Sequence, residues 1–275
     1  EQAKLVLAKA PTDSRALTYQ GLVRLAMGET ELADQMLEQA TKSDPKNLDS
    51  WVARAWLYAQ GDDMKKAGGK VFAYTADLAD MADCDRLVKT VLDEHGHVDV
   101  LINNAGKGLY DTWEESSMEE LKALFELNFF AVAGMTQAFL PLLKKSRGTV
   151  INISSAAGRI WVFCMGAYCA SKAAVSMFSN SLRGEVARYG VRVLDVSPGQ
   201  INTGFSSRSF GHRSPPDSPG RSAGPEGFAK AVYRAWKRGR KSMTYPGWLG
   251  AALFAVRYFV PGLYNRFSLK MWGLK

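Results

Sequence analysis

Three short runs rich in valine and isoleucine, Val98–Ile102, Thr149–Ile153 and Val191–Val196, constrain this chain more than any other feature. Each is too short to be a core helix, and each reads as a buried strand of a parallel sheet. Segments of helical period lie between them: Cys84–Glu94, with Leu87, Val88, Val91 and Leu92 turned inward, then Met118–Leu142 and Ala167–Tyr189. Val71–Ala76 and Ser242–Tyr245 read as two more strands. Phe228–Arg240 reads as a basic helix with Phe228, Val232 and Trp236 on its inner face. Alternating strands and helices predict an α/β fold, a doubly wound parallel sheet with right-handed crossovers.

The first 67 residues follow a different period. Pro11 and Pro45 stand 34 residues apart, and the same offset lays Leu17 over Trp51, Gly21 over Ala55 and Ala33 over Ala67. Small residues at those points let paired helices approach closely. Leu17, Gly21, Gly28, Ala33, Leu37, Ala40 and Pro45 resemble one tetratricopeptide repeat, and Trp51, Ala55, Tyr58 and Ala67 resemble the start of another. Gln20 and Arg24 depart from that pattern, and residues 1–10 look like the last helix of a preceding repeat. Two readings stay open for this all-α, TPR-like segment. One is a scaffold for a peptide partner, as the resemblance implies; the other is a helical hairpin that only packs.

The chemistry is concentrated between Ser154 and Lys172. Tyr168 and Lys172 are four residues apart, so a helix places phenol and ammonium on one face. A free phenol titrates near pH 10; an ammonium beside it favours the phenolate, and a shift of two to three units takes about 3–4 kcal/mol. Tyr168 is then expected to exchange a proton near neutral pH, with Ser155, thirteen residues upstream, hydrogen-bonding the same oxygen.

The run Asn103-Asn104-Ala105-Gly106, followed by Asn128, Ser155, Tyr168, Lys172 and Pro198-Gly199, resembles the short-chain dehydrogenase/reductase family in order and spacing over about residues 64–248. The resemblance implies a Rossmann-like sheet binding NAD or NADP at the carboxyl ends of its strands. It implies catalytic roles for Asn128, Ser155, Tyr168 and Lys172. Asp77, Asn103, Ala105, Gly106, Tyr168, Lys172, Pro198, Gly199 and Thr203 become the cofactor contacts. Asp77 would face the adenine or cap the next turn, Asn103 would brace neighbouring strands, and Thr203 would hold the carboxamide. Asn128 would bend its helix and hold a water leading to Lys172. The implied reaction is hydride transfer between nicotinamide and an alcohol or carbonyl, with no metal.

One part of the family pattern is not in this sequence. The glycine-rich turn of the TGxxxGxG kind, which wraps the pyrophosphate at a helix start, does not occur. The expected sheet is therefore truncated, lacking the first βαβ unit, with Val98–Ile102 left at an edge. Expected domains are 1–67 for the repeats, 68–248 for the Rossmann-like part and 249–275 for the tail. Both uses of such a chain stay open: an oxidoreductase, or a non-catalytic protein-binding module built on a dehydrogenase remnant.

Charge and cysteines narrow the setting. Cys84, Cys164 and Cys169 form no CxxC pair, which points to a reducing, cytoplasmic compartment. Residues 205–275 carry 13 Lys/Arg against 2 Asp/Glu, far more than the balanced remainder. With no nucleic-acid motif beside that charge, nucleic acid is set aside. The tail run Leu249–Phe267, interrupted by Arg257 and Pro261, is too short to span a bilayer. It suits peripheral contact with a membrane surface, packing on the protein itself or a homo-oligomer contact, and the first would go with a lipophilic alcohol or ketone as substrate.

Overall fold

The computed structural model describes residues 10–27, 29–44, 72, 74–203, 205–215 and 223–274. It resolves two compact units, Glu1–Thr75 and Ala76–Lys275, whose boundary falls later than the one expected after residue 67.

In the first unit, helices α1 (Ser14–Ala26) and α2 (Thr30–Ser43) form a hairpin. Asp13 begins α1 by accepting from the Ala16 N–H, and the Ser14 hydroxyl crosses to the Ala40 carbonyl at 2.8 Å. That bond joins the start of one helix to the end of the other, so they run antiparallel. Gly21 sets their separation, since a Cβ there would lie 2.7 Å from the Leu37 side chain. Ala16, Leu17, Ala33, Leu37 and Ala40 are buried along the seam. Gly28, Pro45, Trp51, Ala55, Tyr58 and Ala67 lie outside the described residues.

In the second unit the described strands are β1 (Val100–Asn103), β2 (Thr149–Ile153), β3 (Arg192–Pro198) and β4 (Ser242–Tyr245). They pair in parallel in the order β1-β2-β3-β4. The helices are α3 (Met81–His95), α4 (Met118–Phe125), α5 (Ala131–Ser146), α6 (Gly166–Val186), α7 (Pro225–Lys237), α8 (Trp248–Tyr258) and α9 (Pro261–Met271). Alternation along the strands divides the core. Val150 and Val193 face Cys84, Met135, Phe139, Leu143 and Leu182 from α3, α5 and α6. Ile151, Leu194 and Val196 face Phe228, Val232, Ala235 and Trp236 of α7. Each such buried aliphatic side chain contributes about 1.5–3 kcal/mol.

The run Met118–Ser146 is long and apolar enough to cross a membrane, but its Leu124, Met135, Phe139, Leu142 and Leu143 are buried in this core. The strand expected over Val71–Ala76 is not formed at Phe72 or residues 74–76. β1 pairs only with β2 among the described residues, and its Ile102 is 56% exposed.

A polar ladder crosses the apolar interior. Asn103 Nδ2 donates to Asn152 Oδ1 at 2.8 Å and to Thr136 Oγ1 at 3.0 Å, and Asn152 Nδ2 donates to Ser179 Oγ at 2.8 Å. Asn152 and Ser179 are fully buried, and Asn103 is half-buried at the end of β1. Replacing Asn152 by alanine removes one bond from each partner and leaves a cavity between the strand and α6, and Asn152→Ala is expected to lower stability by about 2–4 kcal/mol in urea unfolding. A loss below about 0.5 kcal/mol would show that the ladder does not join β1, β2 and α6.

Candidate active site

The sequence candidates converge where the strands end. β1 stops at Asn103 and the chain turns through Asn104–Gly108 beside Asn128. A Cβ on Gly106 would stand 3.0 Å from Asn128 Oδ1 and 3.1 Å from Lys172 Nζ, so only glycine leaves both groups undisturbed. Asn128 lies in a π-helical turn, Glu126–Phe130, between α4 and α5. That turn inserts the extra residue that points the amide inward, a device common at functional sites. Oδ1 accepts from the Lys107 N–H at 2.9 Å, while Nδ2 donates to the Lys107 carbonyl at 2.9 Å and to Ser171 Oγ at 3.0 Å. Both amide hydrogens are thus committed to protein acceptors.

β2 ends at Ile153 and delivers Ser154 and Ser155. Ser155 caps the short 3₁₀ turn Ala156–Gly158 by accepting from the Ala157 N–H at 3.1 Å. Its hydroxyl also acts on the Tyr168 phenol, in the sense that favours the ionised form. Gly158 rests against the α6 backbone, where a Cβ would meet the Lys172 carbonyl carbon at 2.7 Å. α6 carries Tyr168 in its first turn and Lys172 in the next, both buried. Lys172 Nζ donates to the Ile153 carbonyl at 3.0 Å. Gly106, Asn128 and Lys172 therefore meet at the strand ends, with Ser155 two residues after Ile153 and Tyr168 one turn before Lys172 on α6.

The remaining candidates are placed differently. Asp77 is exposed and caps a turn, its Oδ1 accepting from the Ala79 N–H at 2.9 Å. Ala105 is half-buried in the loop after β1. Pro198 closes β3, and the Gly199 N–H donates to the Tyr245 carbonyl at 2.7 Å, tying that loop to β4. Thr203 is exposed, and its carbonyl accepts from Arg208 at 3.2 Å.

Residues 205–213 fold over the cluster. Phe205 packs on the Tyr168 ring, centroids 5.7 Å apart, within an apolar group that includes Leu109, Leu121, Leu124, Met165 and Phe210. Backbone bonds at 2.9 and 3.0 Å join Phe210 to Gly108 and Tyr110. The neighbouring Arg213–Glu115 pair, through its guanidinium bonds, holds the carboxyl down at about 2.

A second buried group stands behind the first. Ser154 Oγ donates to Asp195 Oδ1 at 2.5 Å, and Arg159 reaches Asp195 Oδ2 at 3.2 Å and Ser197 Oγ at 2.8 Å. Sequence reasoning passed over Asp195, although a carboxylate inside the run Val193–Val196 signals a buried charge with a partner. Arg159 and Ser197, its partners, carry no such signal.

The electrostatics differ from the expectation for Tyr168. Burial pushes the phenol above its ordinary value, with the Ser155 hydrogen bond acting in the opposite sense. Apolar cover outweighs any pull from the ammonium, so the tyrosine is neutral at physiological pH. Burial likewise pushes Lys172 down to about 8, while the Asp195 carboxylate supports the charged form.

Lys172 yields a stability test. Below pH 8 both folded and unfolded chains carry the ammonium, and its desolvation costs the fold about 3 kcal/mol. Between pH 8 and 10.5 the folded protein has released a proton that the unfolded chain keeps, so stability rises with pH. Lys172→Met is expected to be more stable than the parent at pH 7, with the advantage vanishing near pH 10.5 in urea unfolding. An advantage independent of pH would contradict the buried ammonium.

Comparison with known proteins agrees with this architecture. The family profile for short chain dehydrogenase matches residues 54–213, more than half of the chain. A 3-ketodihydrosphingosine reductase from Bacteroides thetaiotaomicron is 35% identical over 192 residues, 68% of this chain and 69% of that protein. A probable short-chain type dehydrogenase/reductase, VdlC, from Helicobacter pylori is 37% identical over 135 residues, 48% of this chain and 50% of that protein. The chain thus spans only part of the length of these curated relatives. A short chain dehydrogenase from Burkholderia cenocepacia, solved in complex with NADP, is 27% identical with a TM-score of 0.61, covering 73% of this chain and 79% of that one. With a matched profile, a parallel sheet of the same kind and the Ser155, Tyr168, Lys172 cluster at its carboxyl edge, the chain belongs to the short-chain dehydrogenase family.

Proposed function

We propose that the protein is an NAD(P)-dependent reductase of lipophilic ketones. The observation that carries this reading is the convergence of Ser155, Tyr168 and Lys172 where β2 ends against α6, with Tyr168 enclosed by apolar side chains. Tyr168, neutral at physiological pH, donates its proton to the substrate carbonyl oxygen, and Ser155 steadies the charge that develops there. Asn128 is a positioning residue: through Ser171 and Lys107 it holds α6 against the loop after β1. Leu109, Leu121, Leu124, Met165, Phe205 and Phe210 exclude water and favour an apolar substrate. Support for a ketone also comes from the relative named a reductase of 3-ketodihydrosphingosine.

The residues present suit the nicotinamide-ribose half of the cofactor. Among the described residues the Lys172 ammonium has one acceptor, the Ile153 carbonyl, which leaves two protons for ribose hydroxyls. Asn103, Ala105, Gly106, Pro198, Gly199 and Thr203 line the two loops in which the rest of that half would lie. Bound nicotinamide supplies the hydride. The sequence holds no glycine-rich turn for the pyrophosphate, so affinity is expected to be weak, and NAD and NADP are both accommodated in this reading.

A second reading is favoured by the α1–α2 hairpin, in which Gly21 closes on Leu37 as a tetratricopeptide repeat would. On this reading the first unit recruits a peptide and the second is its folded base.

Titration with NADPH and with NADH, followed by fluorescence and melting temperature, is expected to give saturable binding at about millimolar cofactor or below. Tyr168→Phe is expected to keep that binding and the melt while losing about a hundredfold to ten-thousandfold in turnover. No response to either cofactor, together with capture of peptide by the first unit, would favour the second reading.

A further inference from the structure

Helix α9 has two apolar faces. The inner one is built into the fold. Tyr264 Oη donates to the Trp161 carbonyl at 2.8 Å, Trp161 Nε1 donates to Asn265 Oδ1 at 2.8 Å, and Trp272 is buried against Tyr110 and Cys164. The outer face carries Leu263, Phe267 and Met271, spaced four residues apart along one side of the helix, and exposed Leu274 follows its end. Leu263 is 68% exposed and Phe267 61% exposed, and Trp248 on α8 is also exposed.

Charge selects the occupant. Exposed Arg266 and Lys270 stand beside this stripe on the same helix, and residues 227–275 contain ten Lys/Arg with no Asp or Glu. A second copy of the chain, docked face to face by a two-fold axis, would set these cations against their own equivalents. An anionic lipid surface pairs with the cations and takes up the apolar stripe in the same contact.

We propose that α9 docks the protein on an anionic membrane, its outer face inserted at the headgroup boundary. Docking stands on α9 alone; a further consequence rests on the reading of a lipophilic ketone. Tyr110, stacked on Trp272 at 6.4 Å, also meets Ser206 Oγ at 3.3 Å and exchanges backbone bonds with Phe210 and Arg213. The docked helix is therefore one residue from the loop that packs on Tyr168, and substrate enters from the bilayer side.

The test is flotation of the full chain with vesicles of phosphatidylcholine alone and with about 30% phosphatidylserine. The parent is expected to float with the anionic vesicles and to be released by about 0.5 M salt. Leu263→Ser with Phe267→Ser is expected to abolish flotation, and Arg266→Gln with Lys270→Gln to weaken it about 30-fold. An unchanged cooperative melt and NADPH titration would show that the variants fold. Flotation without turnover upholds docking and removes only the ketone reading. Failure of the parent to float, equal flotation by the variants, or a dimer that the double serine variant splits without vesicle binding would overturn the proposal.

Discussion

The site depends on one buried charge. Lys172 Nζ lies out of water with the Ile153 carbonyl as its hydrogen-bond acceptor among the described residues. An ammonium in such a place is unfavourable by itself, and the surrounding structure is organised around keeping it there. Gly106 leaves room for it on one side and Gly158 lets the turn after β2 close on α6 at its root. Asn128, buried in its π turn, ties the neighbouring Ser171 to the loop after β1. Asp195, one strand away and held by Ser154 and Arg159, supplies the opposing charge. A side chain at either glycine would press on these groups, and loss of Asn128 or Asp195 would take away a buried partner.

This arrangement links the sheet to the chemistry. Parallel strands present their carboxyl ends together, so Asn103, Ile153 and Pro198 finish on one edge and their following loops share one space. The Asn103–Asn152–Ser179 ladder fixes that edge from within. Apolar cover from Leu124, Met165 and Phe205 excludes water from Tyr168 and raises its pKa, which retains the proton it is to give. The enclosure that would favour an apolar substrate also sets the protonation state of the acid.

Much of this was legible in the sequence wherever the controlling contacts are local. β2 and β4 lie where their residues place them, and Tyr168 and Lys172 stand one turn apart on α6 as their spacing requires. Long-range causes were harder to read. The π turn at Asn128 is hidden inside what reads as one continuous helix, because its insertion is set by Lys107 and Ser171 from other elements. The direction of the Tyr168 shift was misjudged because the burial that dominates it comes from residues as distant as Phe205. Val71–Ala76 has strand composition, yet Phe72 and residues 74–76 take no strand form. The outer face of α9 could be anticipated as an apolar and basic run, whereas its inner face became clear only from the bonds to Trp161.

The central claim is that Lys172 is buried and held in place before any ligand arrives. Nitrogen-15 NMR of lysine side chains in the cofactor-free protein measures this directly. One ammonium, absent in a Lys172→Met sample, is predicted to titrate near pH 8. A Lys172 resonance titrating with the ordinary lysines near pH 10.5 would mean that the ammonium is in water and the cluster is not assembled.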